Sequence, residues 1–342
     1  NFRLTVQADP WYFPIETLKF NWSSSDENIA TVDQNGNVRT LDKKGMVNIR
    51  AVIDGKNYGP VVTLNVQDPF TVKGGTLTDY HGTGGTVYLP DDENITSIGT
   101  QAFRNNDNIR VLVIPKTVTQ ISERAFENCT ALEEIYFIQQ TPLEIPNANL
   151  SLILRDAFIG CTKLRKVDLS NTKTITLDAR VFRGCTSLEE VVAMNHIGTM
   201  NAMAFAGCTS LKEADITGLH NSGREIFAGC TALETVKTAY YTSLGQGIFR
   251  GCTALESVII NTPTVMAEAF SGCGNLKTVE FGGAGAEARL TSFNIGTRAF
   301  AECINLISVD FNGKNVGNIG DYAFTGCSRL AQISLPEGVN LG

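Results

Sequence analysis

The residues of this 342-residue chain best suited to chemistry are its nine cysteines. Thiolates bind zinc, carry electrons or pair as disulfides, and each use demands a spacing. Metal sites cluster Cys and His at short intervals, and redox sites use Cys-x-x-Cys. Here successive cysteines lie 21 to 32 residues apart, with no Cys-x-x-Cys. None of His81, His196 and His220 has a Cys, His or acid three or four residues on. No metal and no cofactor are therefore expected. The glycine-rich Gly82-Thr83-Gly84-Gly85 lacks a following Gly-Lys-Ser/Thr, so it reads as a turn and not as a phosphate cradle. No Ser/His/Asp set stands out by spacing, and no catalytic residue is nominated.

The cysteines share one slot in a repeat. Phe103, Phe126, Phe158, Phe182, Phe205, Phe227, Phe249, Phe270, Phe300 and Phe324 each open the same pattern. Three residues after each comes Cys, except that the first copy has Asn106, and three further on an aliphatic. Phe126, Cys129 and Leu132, Phe182, Cys185 and Leu188, and Phe249, Cys252 and Leu255 are three such sets. This period suits a short, tight helical turn with one apolar side. The following Leu-x-x-Val-x-Leu alternates as a half-buried strand does. One copy cannot bury its apolar edge, whereas stacked copies can, with strands paired in parallel at roughly 4.8 Å per rung. Parallel inward side chains make poor disulfide geometry, so the thiols are expected to be buried, unpaired fillers. Glycine before Cys, as at Gly160, Gly184 and Gly207, suits a left-handed turn end.

The motif Ile-Gly-x-x-Ala-Phe-x-x-Cys-x-x-Leu runs from Ile319 to Leu330 in full, and from Ile98 to Ile109 with Asn106 for Cys. It resembles the BspA-type leucine-rich repeat of bacterial surface proteins. The stretch Gly75 to Tyr80 with Val87 to Pro90 is similar to that family's opening half-repeat, a cap at about 71–100. Residues 1–68 follow another period, with short alternating strands around Trp22, Ile29, Val38 and Val47 and a hairpin signal at Asn35-Gly36. Trp22-Ser23-Ser24 … Ala30-Thr31-Val32-Asp33 resembles bacterial Ig-like group 2 domains, here lacking a first strand. The expected fold is mainly β with short helical turns. A right-handed, curved leucine-rich-repeat solenoid over 69–342 follows an Ig-like β-sandwich over 1–68.

The strand face is the expected binding site. The residue between the last two apolar positions points outward, giving Tyr136, Asp168, Val192, Asp215, Lys237, Ile259, Glu280 and Asp310, with Tyr240 nearby. Two repeats carry extra length, around Pro142 to Leu152 and around Gly282 to Ala288, and insertions in solenoids become surface loops. A net charge of -7 without a basic run disfavours nucleic acid and anionic lipid. No run of 18 apolar residues spans a membrane. No signal-peptide pattern precedes the domains, and a removed targeting segment is expected.

The resemblance implies an exported surface protein of a bacterium. It would be an adhesive, monomeric, non-enzymatic binder of a protein or glycan, on a host surface or in its matrix. Two other readings stay open. One is a scaffold that self-associates through its repeats. The other is a glycan-acting enzyme, which would need two carboxylates about 5–10 Å apart in a cleft.

Overall fold

The computed structural model describes residues 2–3, 20–41, 44–53, 61–90, 95–137, 149–238, 244–282, 292–335 and 338–342. The chain divides into two compact units, residues 1–71 with 79–85, and residues 72–78 with 86–342.

The first unit is a β-sandwich. One antiparallel sheet joins Phe20–Ser24, Gly45–Ile53 and Val61–Val66. The other joins Phe2–Arg3, Asn37–Thr40 and Ala30–Val32. Alternation sends Val47, Ile49 and Ala51 inward, where they meet Trp22, Ala30 and Val38 in one core. The Asn35-Gly36 signal does form the hairpin turn. Asp33 Oδ1 accepts from the amides of Asn35 and Asn37, both at 2.9 Å, and Gly36 takes φ 78°.

The second unit is a β-solenoid with three ladders per coil. The first ladder is the expected one. Ile109–Ile114, Glu134–Phe137, Lys166–Asp168 and Glu190–Val192 pair in parallel. Glu213–Asp215 pairs with Thr235–Lys237, and Ser257–Ile260, Thr278–Phe281 and Ser308–Asp310 continue the series.

A second parallel ladder was not foreseen. It lies just before each Phe and includes Ser97–Ile98, Gln120–Ile121, Leu152–Ile153, Ile175–Leu177, Ile197–Met200 and Asn221–Ser222. Thr264–Val265, Ser292–Ile295, Asn315–Ile319 and Asn340–Leu341 extend the same column. Several of these strands anchor through a single buried residue, such as Ile98, Ile121 or Ile153. One anchor is too short to show a period.

The third ladder is the turn over Phe, where alternate amides take different partners. In the first repeat Ala102, Arg104 and Asn106 donate three residues back, to Gly99, Gln101 and Phe103. Between them Gln101, Phe103 and Asn105 donate to Glu123, Ala125 and Glu127 of the next repeat. A 3-10 helix would turn every amide inward. The structure instead sets the positions two before and two after Phe in the left-handed region, as at Gln101 (φ 60°) and Asn105 (φ 58°). That choice shares the donors between coil and stack. Among the described residues the one regular helix is the 3-10 turn Met194–His196.

The Phe rings stack from Phe103 to Phe324 at centroid separations from 4.7 Å to 5.6 Å, in the favoured range for aromatic pairs. Phe126, Cys129, Leu132, Phe182, Cys185, Leu188, Phe249, Cys252 and Leu255 are all buried. The cysteines are unpaired. They are more than apolar fillers, because each thiol donates to the Phe carbonyl of the preceding repeat. Cys129 Sγ reaches the Phe103 oxygen at 3.0 Å and Cys327 Sγ the Phe300 oxygen at 3.1 Å. Asn106 in the first copy has no preceding Phe to reach. Its Oδ1 instead accepts from the amides of Asn108 and Ile109.

Candidate functional site

Strand alternation places the candidate column outward, and the ladder register aligns it. Tyr136 pairs with Asp168 and Asp168 with Val192. Asp215 pairs with Lys237, and Ile259 with Glu280 and then Asp310. Val113, the first residue of that column, is buried. Ile259 is 46% exposed, and Val192 and Tyr136 are half-buried. Tyr240 lies outside the described residues. So do its neighbour Tyr241 and most of the two long segments, over 138–148 and 283–291.

Several members of the column have local partners that the spacing did not reveal. Asp168 Oδ1 accepts from the Ser170 amide and hydroxyl at 2.9 and 2.6 Å. Asp215 does the same for Thr217, and Asp310 accepts from the Asn312 amide at 2.7 Å. These are Asx turns that end the strand, and their mark in the sequence is Asp-x-Ser/Thr/Asn. Glu280 accepts from Asn312 Nδ2 at 3.1 Å. The Tyr136 hydroxyl donates to Glu134 Oε2 at 2.5 Å, and that bond raises its pKa above the ordinary value. Lys237 pairs with Glu213, and the bond likewise raises the Lys237 pKa. Val192, Ile259 and the Tyr136 ring supply apolar surface along the column.

Beside the column runs a row of exposed ion pairs. Arg110 and Glu133 approach to 3.0 Å, Arg165 and Glu134 to 3.3 Å, Lys166 and Glu190 to 3.4 Å, and Lys277 and Glu256 to 2.9 Å. Such pairs contribute little to stability. They do offset one another's charge along the row.

Among the described residues the ladder breaks twice, between Lys237 and Ser257 and between Val192 and Glu213. Strands Glu190–Val192 and Glu213–Asp215 belong to different sheets. After Val192 the chain turns out through Ala193, at φ 57°, into the short Met194–His196 helix. A cleft of about 470 Å³ opens there, lined by both strand edges and by Ala193, Met194 and Lys212. Nothing in the sequence around Ala193-Met194-Asn195 marks it.

Among the described residues no group of three or more His, Cys, Asp or Glu could hold a metal ion. His196 Nδ1 lies 3.2 Å from the Leu169 carbonyl, and His81 Nε2 lies 3.5 Å from Asp79. Burial pushes the Cys185, Cys230 and Cys273 thiols up to about 12, against the reactive thiolate state. Among the described residues no helix is long and apolar enough to cross a membrane.

Comparison with known proteins adds the family. The model of the BspA type leucine-rich repeat region matches in overlapping segments over residues 86–177, 138–256, 176–294 and 242–341. The model of the bacterial Ig-like domain (group 2) matches residues 4–62. No curated protein matches the chain. Among solved structures, the chain is similar to a leucine-rich repeat protein from Bacteroides ovatus ATCC 8483. That match has 23% identity and a TM-score of 0.40, over 80% of this chain and 87% of that one. It is similar to a leucine-rich cell surface protein from Faecalibacterium prausnitzii A2-165, at 20% identity and a TM-score of 0.37, over 79% and 87%. It is also similar to the pneumococcal vaccine antigen PcpA, at 15% identity and a TM-score of 0.48, over 80% and 84%.

Proposed function

The chain belongs to the BspA-type leucine-rich repeat family and carries a group 2 bacterial Ig-like domain; from that premise we propose that it is a non-enzymatic cell-surface protein that binds a protein or glycan ligand through its strand face. One observation carries the reading. Within each of three ladder segments the outward column is held in register and presents apolar and charged side chains at fixed intervals. A rigid, regularly spaced face suits recognition, because little ordering is left to offset on binding. Tyr136, Val192 and Ile259 supply the anchors, and Asp168, Asp215, Lys237, Glu280 and Asp310 the polar surround. Family membership supports placement at a bacterial surface, with the Ig-like unit as a spacer.

The test is an array of matrix proteins and glycans probed with the full chain, followed by the variant Tyr136→Ser, Val192→Ser, Ile259→Ser. These side chains are half-buried or exposed, so the far-ultraviolet spectrum should not change. Capture of the ligand should fall on the order of a hundredfold. Undiminished capture would remove the strand face from contention. Concentration-dependent oligomers in light scattering that vanish in the variant would replace ligand binding with self-association.

A further inference from the structure

The first of the two breaks in the strand ladder, after Val192, coincides with a break in its charge pattern. In the first position of each outward strand, Glu134 faces Lys166, and Lys166 faces Glu190. The next residue in that row is Glu213. Like charges directly opposite one another destabilise a strand pair, and here the pairing is absent. Each glutamate is met by a lysine from its far side, Glu190 by Lys166 at 3.4 Å and Glu213 by Lys237. The cleft between them is lined by both carboxylates and by Asp215, with Val192 and Ala193 as its apolar part. Lys212 is its one lining cation among the described residues.

We infer that this cleft receives a lysine- or arginine-bearing extended segment of a partner protein. The aliphatic stem of such a side chain would lie on Val192 and Ala193. Its cation would sit between Glu190 and Glu213, on the side of each carboxylate that faces away from its lysine partner. A cleft of about 470 Å³ is of ligand-pocket size, so it has room for more than one residue of a peptide. Charge complementarity selects the occupant: Glu189, Glu190, Glu213 and Asp215 line the cleft against Lys212, so an acidic segment would be repelled. The inference rests on the strand face being the binding face and names the chemistry that its middle would recognise.

The probe is a fluorescein-labelled hexa-arginine peptide, with hexa-citrulline as a counterpart of similar shape and no charge. Fluorescence anisotropy is read on the full chain. The double variant Glu190→Gln, Glu213→Gln should weaken hexa-arginine binding at least about tenfold. The control variant Glu234→Gln, Glu256→Gln removes two exposed carboxylates from the same face outside the cleft, and should change it less than about twofold. Hexa-citrulline should not bind. Equal weakening by both variants would reduce the effect to diffuse acidity and overturn the inference. So would absent binding, or binding of hexa-citrulline as tight as that of hexa-arginine. Loss of array-ligand capture in the Tyr136/Val192/Ile259 variant, with hexa-arginine binding indifferent to Glu190 and Glu213, would leave the binding face standing and remove the cleft.

Discussion

At the scale of residues the decisive feature is the thiol column. Burial raises Cys185, Cys230 and Cys273 from an ordinary 9.0 to about 12. The unfolded chain therefore gives up these protons at lower pH than the folded chain does. Their contribution to stability is complete below about pH 9 and drains away as pH rises toward 12. From pH 9 to 10 the loss is roughly 1 kcal/mol per thiol. The melting temperature of the solenoid should fall across that interval. Replacing the three cysteines with alanine should lower the starting stability but flatten the slope, and an unchanged slope would rule out the thiols as its cause. At neutral pH an alkylating reagent should react slowly with the native chain and count nine thiols after denaturation without reductant. The column itself was legible in the sequence, because Phe, Cys and Leu recur at one fixed spacing. The donation from each thiol to a Phe carbonyl was not, since that partner lies in the preceding repeat, as Phe103 does for Cys129.

At the scale of elements each coil is fixed by two strand ladders and a turn ladder, and glycine serves two of them for different reasons. Gly207 precedes Cys208 at φ 76°, and a Cβ there would meet nothing nearer than 3.8 Å. Asn128 already occupies the equivalent slot at φ 58°. Gly207→Ala should therefore cost only the left-handed penalty, ~1 kcal/mol. Gly223 follows the second strand, and a Cβ there would fall 2.6 Å from the backbone of Asn201 and Ala202 in the preceding coil. Gly223→Ala must push the coils apart, at ~3 kcal/mol. Chemical denaturation of the two variants should rank them in that order, and the reverse order would make backbone conformation the limiting factor. Sequence alone could not separate these glycines, because the slot of Gly223 holds Asn201 one repeat earlier. The same limit hid the second ladder and the cleft. Alternation exposes a strand such as Glu134–Phe137, whereas Gln120–Ile121 has one buried residue and no period. Ala193-Met194-Asn195 carries no turn signal of its own. The outward column was legible because it belongs to the alternating strand, and the Asx turns at Asp168 and Asp215 were missed because the same residues also satisfy the outward pattern.

At the scale of the whole molecule the two compact units differ in what stabilises them, and that difference can be read with the chain's own chromophores. All nine cysteines lie between Cys129 and Cys327, in the repeat unit. Both tryptophans, Trp11 and Trp22, lie in the Ig-like unit, where Trp22 is packed in the sandwich core with Val47 and Ile49. Tryptophan emission therefore reports the sandwich, while the far-ultraviolet signal is dominated by the solenoid. The solenoid should respond to the thiol titration, and the sandwich has no thiol to titrate. Each unit has a core of its own, so one need not melt with the other. Raising pH from 9 to 10 should lower the far-ultraviolet melting temperature more than the one followed by tryptophan, and the two curves should separate as pH rises. Within the solenoid the loss should spread along the stack, since each repeat is supported only by its neighbours. Curves that shift together across this range would mean that the units unfold as one cooperative body. The Ig-like unit would then share its unfolding transition with the solenoid instead of melting by itself.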